Sequence, residues 1–120
     1  MFTLSLLKAE EVCSILNGSK IIAQDSENTY LGEIKNKYAS DSIFNDYGNY
    51  GGKYSSTSIW NQYSTLGNKY SSYSPFNKYT STPPMIIKNG KVIGYLSSNE
   101  GIKASISPNL LKALCEDNLY

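Results

Sequence analysis

Histidine and arginine are missing from this 120-residue chain, and so is any long apolar run. Without histidine, no side chain has its ordinary titration near neutral pH, the usual general base is gone, and no imidazole can hold a metal. Without arginine there is no bidentate clamp for phosphate or carboxylate. No stretch approaches the ~20 apolar residues that cross a bilayer as a helix. The opening MFTLSLLKAEEV has no basic segment, and Lys8, Glu10 and Glu11 interrupt its apolar residues. It does not read as an export signal. The expectation is therefore a cytoplasmic protein, with the mature form of a secreted one, its signal removed, as the alternative.

Net charge and sulfur are equally scarce. Eleven lysines oppose ten Asp plus Glu, for a net charge of +1, so the long-range field that gathers a protein onto nucleic acid or an anionic membrane is absent. Neither is expected as a partner. The two cysteines, Cys13 and Cys115, fall in the two expected terminal helices. The preferred reading is a pair of buried thiols behaving as small apolar residues. The alternative is a disulfide closing a loop of about 100 residues, which chain entropy values at about 4 to 5 kcal/mol. At this length the chain suits one domain that buries roughly two-thirds of its unfolded surface.

What the chain does have is a repeat. Stacked every 16 positions, residues 40–55, 56–71 and 72–87 align without insertion. Ser42, Ser58 and Ser74 share a column, as do Phe44, Trp60 and Phe76, then Asn45, Asn61 and Asn77, then Tyr47, Tyr63 and Tyr79. Tyr54 and Tyr70 form a further pair. Pro75 after Ser74 suggests that each unit opens with a single helical or 3₁₀ turn, Ile43 and Ile59 taking the same place in the first two copies. Gly48 then reverses the chain into an irregular or extended arm, where Gly51 and Gly52 allow close approach. One unit cannot bury its own large side chains, so stacked units must share a core. The 44, 60, 76 column is the expected anchor, and the aligned asparagines are expected to bond backbone of their own or the neighbouring turn.

On either side of the repeats the elements are conventional. Residues 4–17 carry Ala9, Val12, Cys13 and Leu16 on one helical face, with Gly18 as the stop. KIIAQ and TYLGEIK read as a hairpin with Ile22, Tyr30, Leu31 and Ile34 as candidates for inward positions. In PMIIKNGKVIGYL, Asn89-Gly90 is the pair that tolerates positive φ in a two-residue turn, giving a second hairpin over 83–98. Ser107-Pro108 caps a last helix over 107–117. The fold class is α+β in a single domain: a helix and hairpin over 1–39, three repeats over 40–87, the second hairpin and the C-terminal helix.

The pattern SIWNxY, a glycine-bearing tract, YSSYSPFNxYTSTPP and a strand ending GYL resembles a set of small bacterial proteins with tandem SIWNxYGxYGSxYS-type units preceded by a YLGxI strand. The resemblance covers residues 24 to 97, and Ser64, Thr65 and Leu66 depart from it. It implies the repeated architecture and no activity.

Familiar chemistry fails on inspection. The tract from Gly48 to Lys53 lacks the first glycine of a phosphate-binding loop, Tyr47 standing there, and Tyr54 replaces the magnesium-binding hydroxyl. Cys13 and Cys115 have no histidine to activate them. Asp25, Glu27 and Asn28 lack calcium-loop spacing, and no carboxylate pair sits in an apolar context. No catalytic residue, cofactor or metal is assigned. The expectation is a non-enzymatic structural or protein-binding module, such as a small inhibitor or immunity-type protein with a protein partner. The alternative is a carbohydrate-binding module using exposed tyrosines. Tyr50, Lys53, Lys69, Tyr73 and Lys78 are the candidate binding surface.

Overall fold

The computed structural model describes residues 8–120. Helix α1 (Ala9–Leu16) places Glu10 and Glu11 in its first turn, where carboxylates complement the positive end of the helix dipole. It buries Val12, Cys13 and Leu16 and stops as Gly18 takes φ +85°, which a glycine adopts without a Cβ penalty. Residues 4–7 of the expected helix lie outside the described residues. Strands β1 (Lys20–Ile22) and β2 (Tyr30–Glu33) pair antiparallel. Leu31 and Ile34 are fully buried as expected, whereas Ile22 and Tyr30 are half-buried and Ile21 takes the innermost place on β1.

Strands β3 (Met85–Lys88) and β4 (Lys91–Leu96) form the second hairpin. Its two loop residues, Asn89 and Gly90, have φ of 52° and 76°, as a twist-matched two-residue turn requires. The two hairpins join through an antiparallel β1–β3 pairing, and a short strand that the sequence did not signal, β5 (Ser105–Ile106), adds in parallel to β4. The sheet order is β2-β1-β3-β4-β5. Gly94 is what lets β5 approach: a Cβ there would stand 2.5 Å from the Ala104 carbonyl oxygen. Helix α2 (Pro108–Cys115) is capped by the Ser107 hydroxyl, which accepts the Leu110 amide at 3.1 Å, and buries Pro108, Leu111 and Cys115. With two helices and a mixed five-stranded sheet, the fold is α+β.

The cysteines are joined. Cys13 and Cys115 form a disulfide with Cα atoms 5.4 Å apart, which corrects the preference for two free thiols. Periodicity places each cysteine on the buried face of its helix; that α1 and α2 pack on each other is a tertiary fact that periodicity does not carry.

The repeats form three stacked coils of turns. Backbone amides bond carbonyls three residues back at Ala39, Ser42, Asn45 and Gly48, then Gly52 bonds Gly48 four back, and the same series recurs at Ser55, Ser58, Asn61 and Ser64 and again at Ser71, Ser74, Asn77 and Thr80. Four steps of three residues and one of four thus make up each of the first two 16-residue coils, and the third has the four three-residue steps and stops at Thr80. Turns continue where an extended arm is expected, and the coils begin at Asn36, four residues ahead of the sequence-defined unit. Close approach at Gly51 is as anticipated, since a Cβ there would lie 2.1 Å from the Asn45 carbonyl oxygen.

The deepest column is Ile43, Ile59 and Pro75, all fully buried, while in the expected anchor column only Phe44 is buried and Trp60 and Phe76 are half-buried. Burying each of those two isoleucines contributes about 1.5 to 3 kcal/mol. The first coil docks on β2: the Glu33 amide bonds the Asp41 carbonyl at 2.9 Å, and the Ile43 amide bonds the Glu33 carbonyl at 3.0 Å. The third coil is covered by loop 97–101, where the Ser98 amide bonds the Pro75 carbonyl at 2.8 Å and the Asn99 side-chain amide donates to the Thr80 carbonyl at 2.9 Å.

Two outcomes follow. Thiol titration in denaturant without reductant should find no free sulfhydryl, and replacing both cysteines by serine should cost about 2 to 5 kcal/mol in urea unfolding. Gly32 has φ +102°, and a Cβ on it would stand 2.6 Å from the Tyr50 Cβ and 2.8 Å from the Asp41 carbonyl oxygen. Gly32→Ala should therefore lower stability by about 3 kcal/mol or more, whereas Gly90→Ala, with nothing within 4 Å of its added methyl, should cost less.

Candidate functional site

The coils are built on a three-residue chemistry. At most of the turns a serine or asparagine side-chain oxygen accepts the amide two residues on, among them Ser42 from Phe44, Asn45 from Tyr47, Ser58 from Trp60, Asn61 from Tyr63, Asn68 from Tyr70, Ser74 from Phe76 and Asn77 from Tyr79, at 2.8 to 3.1 Å. These are Asx and Ser/Thr turns, local bonds that compete with helix and sheet. The aligned asparagines do more. The side-chain amides of Asn45, Asn61 and Asn77 donate to the carbonyls of Ala39, Ser55 and Ser71, each at 3.0 Å, so they bind a neighbouring turn in the expected way.

An aromatic stands two residues after most of these acceptors, and burial sorts the aromatics into columns. Tyr38, Tyr54 and Tyr70 form one column and Tyr47, Tyr63 and Tyr79 another, and all six are exposed, from 77% at Tyr63 to 101% at Tyr47. Trp60 and Phe76 lie lower. The Trp60 indole N–H donates to the Ile43 carbonyl of the preceding coil at 2.6 Å, its ring meets Phe76 edge-on with centroids 5.7 Å apart, and the Lys112 ammonium lies 4.8 Å from the ring centre. Trp60 is therefore a pinned packing residue. It shares with Phe76, Tyr63 and Tyr70 the lining of a cleft of about 480 Å³. A second cleft, of about 440 Å³, is lined by Tyr70, Phe76 and Tyr79 with Lys69 and Lys78. Lys69, Tyr70 and Phe76 belong to both clefts, so the two make one open groove with half-buried rings as its floor and exposed tyrosines as its rims.

The groove is cationic. Between Asp46 and Glu100 the chain has no acidic residue and five lysines. Lys53, Lys69 and Lys78 are exposed and have no carboxylate partner among the described residues. The Lys69 ammonium lies 5.3 Å from the Tyr70 ring centre, and Lys37 stands 5.8 Å from that of Tyr38.

Of the residues singled out from sequence, Lys69 and Lys78 line the groove and Lys53 is exposed one coil earlier. Tyr50 and Tyr73 are half-buried. Tyr50 packs edge-on against Tyr30 with centroids 5.0 Å apart, over Gly32, and Tyr73 packs against the core. The six exposed tyrosines went unselected. The signal that finds five of them is an aromatic two residues after serine or asparagine, which also brings in Tyr38 from outside the sequence-defined units; Tyr54, after Gly52, is found by the 16-residue period.

Tyr30 sits in an unusual electrostatic setting. Burial pushes its pKa up, and its hydrogen bond to the Asp41 carboxylate, at 2.9 Å, pushes it further. The pair fastens the first coil to β2. Among the described residues no group of three or more His, Cys, Asp or Glu could hold a metal ion. Comparison with protein-family models, curated proteins and solved structures finds no match.

Because the folded-state pKa of Tyr30 lies above its unfolded value, its contribution is present below about pH 10 and is lost as pH rises through the folded pKa. A spectrophotometric titration should show a phenol that ionises late, absent from Tyr30→Phe, and the stability of that variant should fall less steeply above about pH 10.

Proposed function

We propose that the protein is a non-enzymatic binding module whose turn coils present a carbohydrate-binding face of tyrosines. One observation carries this reading: six exposed tyrosines stand in two columns, and five of them, all but Tyr54, sit at turn positions whose only duty in the fold is to donate a backbone amide. Any residue but proline could make that bond, and burial holds none of the six rings in place. A phenol offers a flat apolar face with a polar edge, which suits the C–H face and hydroxyl rim of a sugar ring. Columns repeated coil after coil suit an extended ligand of repeated units.

A second reading, a protein partner of the inhibitor or immunity type, is favoured by a separate feature. A cleft of about 330 Å³, lined by Ile15, Leu16, Ile86, Ile93 and Ile106, includes no coil residue, and Ile15 and Ile93 are exposed in it. Such an apolar patch is of the kind that marks protein contacts. The disulfide supports an oxidising location for either reading, and with it the secreted alternative over the cytoplasm.

The two readings separate in one comparison. In affinity electrophoresis through polysaccharide-containing gels, Tyr63→Ser/Tyr70→Ser should weaken retardation at least tenfold, about 1.4 kcal/mol, with the near-UV spectrum of Trp60 retained. Ile93→Lys should leave retardation unchanged. Absence of retardation in every polysaccharide would overturn the carbohydrate reading and leave the apolar cleft, with its protein partner, as the functional face.

A further inference from the structure

We infer that the ligand of the tyrosine groove is a linear acidic polysaccharide, with sugar rings stacked on Tyr63, Tyr70 and Tyr79, ring carboxylates facing Lys69 and Lys78 in the groove, and the polymer continuing past it to Lys53 one coil earlier. This rests on the carbohydrate reading above and adds the charge and the polymeric nature of the ligand.

The sign comes from where charge is balanced and where it is left open. At the first coil Lys37 pairs with Asp117 at 2.9 Å, and near Trp60 Lys112 pairs with Glu116 at 3.6 Å. Asp46 occupies in the first coil the place that Gln62 and Lys78 take in the second and third. Charge along that column thus runs from negative through neutral to positive. In the second and third coils no acidic side chain comes from the coils themselves. An overall charge of +1 gives no global attraction for an anion, so the complement must be recognised locally, in the groove.

Polymeric character follows from repetition. Lys37-Tyr38, Lys53-Tyr54 and Lys69-Tyr70 occupy one position of successive coils; Lys37 is taken by Asp117, so the second and third coils each offer an open cation next in sequence to an exposed ring. A ligand that satisfies one coil satisfies the next only if it too repeats an anion beside an apolar face. A polyuronate does so.

A single-stranded nucleic acid also combines rings with charge, but its charge is too dense for this face. Three open lysines neutralise at most three phosphates, which gives a salt dependence of only about −2 in log–log slope, and no arginine is present to fork onto a phosphate. Widely spaced point charges suit the single carboxylate of a sugar unit.

The test uses the full chain with its disulfide intact and three polyuronates: polygalacturonate, alginate and hyaluronate. The controls are fully methyl-esterified polygalacturonate, a neutral β-glucan and oligo(dT). At least one polyuronate should retard the protein. Retardation should weaken at least tenfold in Lys69→Gln/Lys78→Gln, whose changed side chains are exposed, and should be lost in Tyr63→Ser/Tyr70→Ser; if polygalacturonate binds, its methyl ester should bind at least tenfold more weakly. Equal binding of the ester or the neutral glucan, or an unaffected lysine variant, would overturn the acidic ligand and leave the tyrosine face standing. Retention by none of the polysaccharides would overturn both. Binding to oligo(dT) in preference to every polyuronate would reassign the groove to nucleic acid. Polyuronate binding that survives the tyrosine substitutions would place the site elsewhere.

Discussion

The coils depend on a hydrogen bond that spans two residues, from a backbone amide to the side-chain oxygen of the serine or asparagine before it. A segment with neither helix nor ladder must still find partners for its backbone groups. Here turn bonds every three residues satisfy one set of amides, and side-chain oxygens satisfy amides between them. Asparagine serves twice, accepting with Oδ1 and donating with Nδ2 to a carbonyl six residues back. With the backbone settled locally, side chains are free to divide by direction. Ile43, Ile59 and Pro75 turn inward and the tyrosines outward.

The rest of the molecule holds this assembly at its ends. The first coil shares hydrogen bonds with β2, covering a sheet edge that would otherwise be open. Loop 97–101 covers the third coil, and it uses the same chemistry, since Ser97 accepts the Asn99 amide and Asn99 accepts that of Gly101. The helices, tied by the disulfide, bring Lys112 over Trp60 and Asp117 to Lys37. The same C-terminal segment thus packs on the second coil and pairs with the first.

How much of this was legible follows from how local each cause is. Asn89-Gly90 and Ser107-Pro108 act within a few residues, so the hairpin and the helix start could be read directly. Strand β5 is two residues long and exists because Gly94 admits Ala104, a contact that no periodicity encodes. The disulfide needed the packing of two helices that are nearly the whole chain apart. At the site, the 16-residue period was plain, but the three-residue period within it decides which ring stands where. Tyr50 and Tyr73 stand outside the aligned tyrosine columns, yet the first is drawn in by Tyr30 and Gly32 and the second by the core. Lys69 and Lys78 were found because lysine beside an aromatic is visible in sequence whichever way the ring turns.

The attachment of the coils at two different strands makes the sheet a ruler for them. Coil one is fastened at β2 and coil three beside the end of β4, which lies three strand spacings away in the order β2-β1-β3-β4. Coil one pairs on the outer edge of β2, so the two coil-to-coil steps must match a run of strand spacings fixed at about 4.8 Å each. An inserted fourth coil would overshoot its dock, and a deleted one would fall short. Repeat number is therefore fixed by sheet width, and the length of the tyrosine face can change only together with the number of strands beneath it.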